Sequence, residues 1–254
     1  MIVIAAPMKR EAQAVTRSGA SARSLASVTG ICVTGVGGTR APATLGSFLD
    51  ARTHVDGVLA VGFAGALQDD LDTGDLVAAR RLLTAGGGDP IECDRGLLRA
   101  AEAALERSGA RWRTGDTLTV EAALCTAGEK RSHGRQTGPL AATMEDYWLA
   151  GECVRRGVPF LSVRSVLDVA AQELPPFVAE LGDRGLLVQA ARVSLGLAAR
   201  PRHLPAVARL RGQVRRAGSS LAPFVLSFLE GAFLEEVGSR PRSAAVGTGS
   251  GPRG

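Results

Sequence analysis

The feature that most narrows the fold of this chain is an alternation. Short apolar runs rich in Val and Ile, each bounded by Gly or Asp, take turns with longer segments of helical periodicity. Unbroken apolar runs suit strands buried on both faces, and intervening helices are what covers those faces, so the pattern predicts an α/β domain. The predicted strands are 2–6, 31–34, 57–61, 76–79, 117–120 and 160–166, and the predicted helices are 9–17, 41–51, 95–108 and 145–156. Gly86-Gly87-Gly88 and the polar run 128–138 read as loops. No repeat of fixed period is present.

At 254 residues with 45% hydrophobic and 22% charged content, the chain can bury a sizeable core. Its formal charge is +5, and Lys9 and Lys130 are the only lysines, so the basic side is almost wholly arginine. The excess is local. Between 184 and 229 there is no Asp or Glu, while eight arginines alternate with Leu, Val and Ala, which leaves the rest of the chain at −3. Such composition suits an amphipathic helix on anionic lipid, or equally a solvated helical face. It lacks the interleaved aromatics and the motifs of nucleic-acid binders. The tail 238–254 is rich in Gly, Ser, Pro and Arg, a composition expected to stay disordered. The chain therefore divides into a main α/β domain over 1–183, an Arg-rich helical extension packing on it over 184–237, and that tail.

Four scattered cysteines, without a C-x-x-C pair or histidines at ligand spacing, point to reduced thiols and to no metal. The opening apolar run is too short for a signal peptide and its charges follow it. The uncharged stretch 217–229 falls short of the roughly 20 residues a membrane span needs. A cytoplasmic chain is expected, with a peripheral contact through 184–229 at the inner face of the membrane.

Ligands of open α/β sheets bind beyond the carboxyl ends of strands, so the polar residues placed there carry the chemistry. Three acids stand out: Glu11 after the first strand, Glu145 at the start of a helix, and Asp168 at the end of the last strand. Taken singly, each also reads as a helix-end acid or a cap. Glycine turns at Gly35-Val36-Gly37-Gly38 and Gly62-Phe63-Ala64-Gly65 would let a ligand approach the backbone. Neither matches a dinucleotide-binding or Walker pattern.

The runs IVIAAPMKREAQAV, GVGG, DGVLAVGFAGALQDDLDTGDLV, ATMED and PFLSVRSVLDVA, in this order over about two thirds of the chain, resemble the landmarks of the purine nucleoside phosphorylase and methylthioadenosine/S-adenosylhomocysteine nucleosidase superfamily. ELPP followed by RPRHLPAVARL is most similar to its hopanoid-associated branch, for which the implied substrate is adenosylhopane. The resemblance implies a single-domain three-layer α/β/α fold with a mixed twisted sheet, homo-oligomers, a small-molecule nucleoside as partner, and no cofactor, with inorganic phosphate as co-substrate if the reaction is phosphorolysis. It makes Glu11 the activator of water, Glu145 with Met144 the ribose site, and Asp168 the donor of a proton to the leaving purine. It further implies Ala123 and Leu124 at the purine edge, Phe160 as an aromatic against the base, and Gly62, Phe63 and Gly65 as the glycine turn lining the site. Arg10 and Arg40 are the phosphate candidates.

Three positions depart from that pattern. Phe63 stands where a hydroxyl commonly holds phosphate or water, Thr143 where a second acid is frequent, and Leu167 where Ser or Thr often precedes the aspartate. The residues leave phosphorolysis and hydrolysis both open. They also leave open a methylthioadenosine, S-adenosylhomocysteine or futalosine-type nucleosidase, and a degenerate member that binds a nucleoside or a membrane without turnover.

Overall fold

The computed structural model describes residues 1–7, 29–175 and 204–239. The elements in chain order are β1 (Ile2–Ala6), β2 (Thr29–Val33), α1 (Arg40–Asp50), β3 (Gly57–Ala66), β4 (Leu76–Thr84), β5 (Ile91–Glu92), α2 (Arg95–Ser108), β6 (Trp112–Thr119), α3 (Ala127–Thr137), β7 (Ala141–Thr143), α4 (Asp146–Arg155), β8 (Phe160–Asp168) and α5 (Leu204–Ser239). The predicted helix 9–17, with Arg10 and Glu11, lies outside the described residues, as do 184–203 and the tail beyond 239.

The eight strands form one mixed sheet ordered β2-β1-β3-β7-β6-β4-β5, and β8 pairs with both β3 and β4. The sheet thereby closes on itself through β3, β8, β4, β6 and β7. β8 runs parallel to β3 and antiparallel to β4. It joins the parallel half of the sheet to the opposed half. Val3, Ile4, Val58, Leu59, Leu76 and Leu161 are fully buried, as unbroken apolar runs require.

β3 and β4 extend beyond their predicted ends. Gly62-Phe63-Ala64-Gly65 is not a turn: it continues β3 in register with Arg164 to Asp168 of β8. β4 continues through the exposed Arg80 and the half-buried Arg81, past a register irregularity against β6, to the short β5. The run 128–138 is not a loop but helix α3. It begins with a capping box in which Thr126 Oγ1 accepts from the Glu129 amide and the Glu129 carboxylate accepts from the Thr126 amide. It ends on Gly138 in the left-handed conformation.

The C-terminal helix α5 is divided by face. Ala217, Leu221, Phe224, Val225 and Phe228 are buried, the last four within the main core cluster, whereas Arg209, Arg211, Arg215 and Arg216 are exposed. Among the described residues no helix is long and apolar enough to cross a membrane. Cys32, Cys93 and Cys153 are buried free thiols, and Cys125 is half-buried.

Gly134 on α3 is packed so closely that a Cβ there would stand 2.3 Å from the Leu67 carbonyl oxygen. Helix propensity alone favours Ala over Gly by about 1 kcal/mol. The backbone clash outweighs it, so Gly134→Ala should lose about 1–3 kcal/mol in urea unfolding. A gain in stability would show that α3 does not sit against the end of β3.

Candidate active site

β8 carries the charged groups on which the site is built. Arg164, mid-strand, has 0% exposure. Its guanidinium meets both carboxylates at the start of α4. Nη1 lies 2.9 Å from Glu145 Oε1, Nε donates to Asp146 Oδ2 at 3.1 Å, and Nη2 donates to Asp146 Oδ1. Ser162, on the same strand face, donates from Oγ to Asp146 Oδ2 at 2.6 Å. The turn that delivers these acids is held from β6: Thr119 Oγ1 accepts from the Tyr147 amide at 3.0 Å and lies 3.2 Å from Thr143 Oγ1. Thr143 is buried, and its role is to fix this turn.

Burial pushes the Glu145 carboxyl up to about 7 against the attraction of Arg164, and neighbouring Asp146 adds to the rise. The group thus changes charge near neutrality. Above that pH its carboxylate can accept hydrogen bonds from sugar hydroxyls.

Asp168 ends the same strand. Val166 pairs with Ala64, but Asp168 pairs with Gly65, so Leu167 is an extra residue that takes Asp168 out of the alternation shared by Ser162, Arg164 and Val166. The carboxyl rests against Gly65, where a Cβ would stand 3.2 Å from Oδ2. Any side chain there would press on the carboxyl and push it aside. Lys130 of α3, with 1% exposure, places Nζ 2.5 Å from Asp168 Oδ2. Burial holds the Asp168 carboxyl above the usual carboxylate range, although Lys130 pulls the other way.

Lys130 and Arg164 were not among the residues expected to matter. A charged residue inside an apolar strand run must find a partner when buried, and that requirement was the available signal for Arg164. For Lys130 the signal was the S/T-x-x-E box from Thr126 to Glu129, which announces a helix in an otherwise polar stretch.

The other expected residues divide into four groups. Leu124 and Met144 pack against one cluster of Leu67, Leu118, Val120 and Ala142, and Ala123 is half-buried in the loop between β6 and α3. Gly62, Phe63 and Gly65 lie on β3 opposite Arg164, Ser165 and Asp168. Phe160, by contrast, does not join the site. It is buried in the main core at the first residue of β8, about 26 Å along the strand from Asp168. An apolar start to a central strand is filled by core, and that is its role here. Arg40 opens α1 on the surface, with its side chain against Gly35. Among the described residues no group of His, Cys, Asp and Glu could hold a metal ion.

A family model described as the phosphorylase superfamily matches residues 21–185. The chain belongs to the phosphorylase superfamily. Solved structures share its fold at low identity. One is a 5′-methylthioadenosine/S-adenosylhomocysteine nucleosidase from Helicobacter pylori, 16% identical with a TM-score of 0.66 over 90% of this chain and 97% of the other. A futalosine hydrolase from the same organism is 19% identical with a TM-score of 0.56, over 66% of this chain and 87% of its own. A putative methylthioadenosine nucleosidase from Weissella paramesenteroides is 18% identical, with a TM-score of 0.64 over 91% and 98%. In this phosphorylase-superfamily chain, the Arg164 and Lys130 clusters both lie on β8 or are bonded to it.

Removing Arg164 would strand two buried carboxylates. Arg164→Met should therefore cost about 3–5 kcal/mol in urea unfolding, and a loss below about 1 kcal/mol would contradict the buried cluster.

Proposed function

We propose that this chain cleaves the N-glycosidic bond of an adenine nucleoside, with Asp168 giving a proton to the leaving base and Glu145 holding the ribose. One observation carries this reading: within a phosphorylase-superfamily fold, β8 ends in a carboxyl that burial biases toward its protonated form, and four residues earlier its arginine grips Glu145. Breaking a ribose–adenine bond leaves a cation-like sugar and a basic purine anion. A buried, protonated Asp168 neutralises the second, and an ionised Glu145 stabilises the first. The Leu124–Met144 cluster supplies an apolar wall. A Helicobacter pylori relative of this fold carries 5′-methylthioadenosine in its active site, which supports the substrate class.

The nucleophile in this reading is water, activated by Glu11. Phe63 offers no hydroxyl to hold phosphate, and the phosphate candidate Arg40 is exposed surface charge. The substrate carries a bulky apolar group on its 5′ carbon, and adenosylhopane of hopanoid biosynthesis is the proposed case. The ELPP and RPRHLPAVARL segments support it, as do four exposed arginines on α5 suited to an anionic membrane surface. Methylthioadenosine is the second reading, favoured by the structural relatives.

The test is base release by the purified chain in detergent from adenosylhopane, methylthioadenosine, S-adenosylhomocysteine, inosine and futalosine, each with and without phosphate. Adenine should appear without phosphate dependence, and Asp168→Asn and Glu145→Gln should each lower kcat/KM by about 100-fold or more. No base from any substrate would end the nucleoside reading, and recovery of a sugar 1-phosphate would replace water by phosphate.

Because Glu145 must be ionised in the free enzyme, kcat/KM should fall as pH drops through about 7. Glu145→Gln should abolish that acid limb. Its persistence in this variant would assign the limb to another group.

A further inference from the structure

The ammonium of Lys130 has three partners: Asp168 Oδ2 at 2.5 Å, the Val169 carbonyl at 3.1 Å and the Gln172 carbonyl at 2.8 Å. Three N–H donors meet three acceptors, one on the last residue of β8 and two in the turn that follows it. The clamp continues outward, since the Gln172 and Gln213 amides bond each other at 2.6 and 3.2 Å and tie that turn to α5. A buried lysine with every donor spent on one carboxyl and its turn is more than a surface ion pair.

We propose that Lys130 is a positioning residue for glycosidic cleavage, holding Asp168 by Oδ2 so that the proton for the leaving base rests on Oδ1. The proposal rests on the nucleoside-cleavage reading above. In the step, the C1′–N bond breaks and its electron pair leaves with the base. The proton on Asp168 Oδ1 moves to a ring nitrogen of the base, and the water oxygen bonds to C1′ as one of its protons passes to Glu11 and from there to solvent. Asp168 is left as a carboxylate beside the Lys130 ammonium and regains a proton from water after release. Burial biases the carboxyl toward its protonated form before reaction, and Lys130 stabilises the negative charge that grows as the proton departs.

Other charged groups around Asp168 are accounted for. β3 and residues 169–172 contribute no ionisable side chain. On α3, Glu129 is held in its capping box, Arg131 and Arg135 are exposed, and His133 is half-buried. Glu173 is exposed, and Arg164, earlier on β8, is paired with Glu145 and Asp146.

The experiment compares wild type with Lys130→Met and Lys130→Arg in two measurements: the pH profile of adenine release, and a 13C NMR titration of the Asp168 carboxyl carbon, assigned with Asp168→Asn. Lys130→Met should lower kcat about 100-fold with KM little changed. The limb on which activity is lost with rising pH, and the Asp168 titration, should both move up by about 1–3 pH units. Lys130→Arg, which keeps the charge, should leave both near their wild-type positions. If Lys130→Met does not fold, Lys130→Gln takes its place with the same expected shifts. Active wild type with unmoved limb and titration in the uncharged variants overturns the role of Lys130 and leaves the nucleoside reading standing. Wild type that releases no base overturns the nucleoside reading and the catalytic role together, and the NMR titration then reports whether Lys130 still governs the Asp168 proton.

Discussion

An arginine with no exposed surface can sit in the middle of a central strand only if its counter-charges are brought to it. Each ion taken from water costs several kcal/mol, so Arg164 without Glu145 and Asp146 would oppose folding. Satisfying it fixes a great deal. It pins the start of α4 to β8, sets the turn between β7 and α4, and with it the positions of Met144 and Glu145. Because β8 pairs with β3 on one side and β4 on the other, the same cluster stands where the two halves of the sheet meet. The charged residue that looks out of place in the strand organises the site.

The second buried pair works differently. Arg164 meets two carboxylates, one of which burial holds near neutrality against its attraction, whereas Lys130 meets one carboxylate and two carbonyls at the strand's end. The first arrangement suits a group that must hold sugar hydroxyls, the second a group that must give up a proton and tolerate the charge left behind. The extra residue Leu167 and the bare backbone of Gly65 are what allow the second carboxyl to leave the face used by the first. Two carboxyls in distinct environments are the physical basis for assigning them distinct roles.

Six of the eight strands were legible because Val, Ile and Ala runs such as 2–6 and 57–61 must be buried on both faces, while the short β5 and β7 are too brief to carry such a run. Glu145 and Asp168 were legible as acids beyond strand runs, and the structure places each beside a buried cation. What was not legible has physical reasons. Gly62-Phe63-Ala64-Gly65 reads as a turn because its glycines suggest one, yet here they admit a neighbouring carboxyl to a continuous strand. The run 128–138 contains few apolar residues, so it carries little periodicity, and only its capping box and terminal glycine mark it as helix α3. Overlooking that helix hid Lys130. Phe160 was assigned to the base by resemblance, and its place at the opposite end of β8 makes it core. Glu11 and Arg10 lie outside the described residues, and the water-activating role of Glu11 rests on resemblance alone.

If the clusters on β8 serve one nucleoside, a crystal structure of the chain soaked with adenine and a ribose-mimicking pyrrolidine will show a base ring nitrogen within hydrogen-bond distance of Asp168, and the hydroxyls of the sugar mimic on Glu145. Adenine bound elsewhere, or a site that takes up neither molecule at saturating concentration, would contradict it.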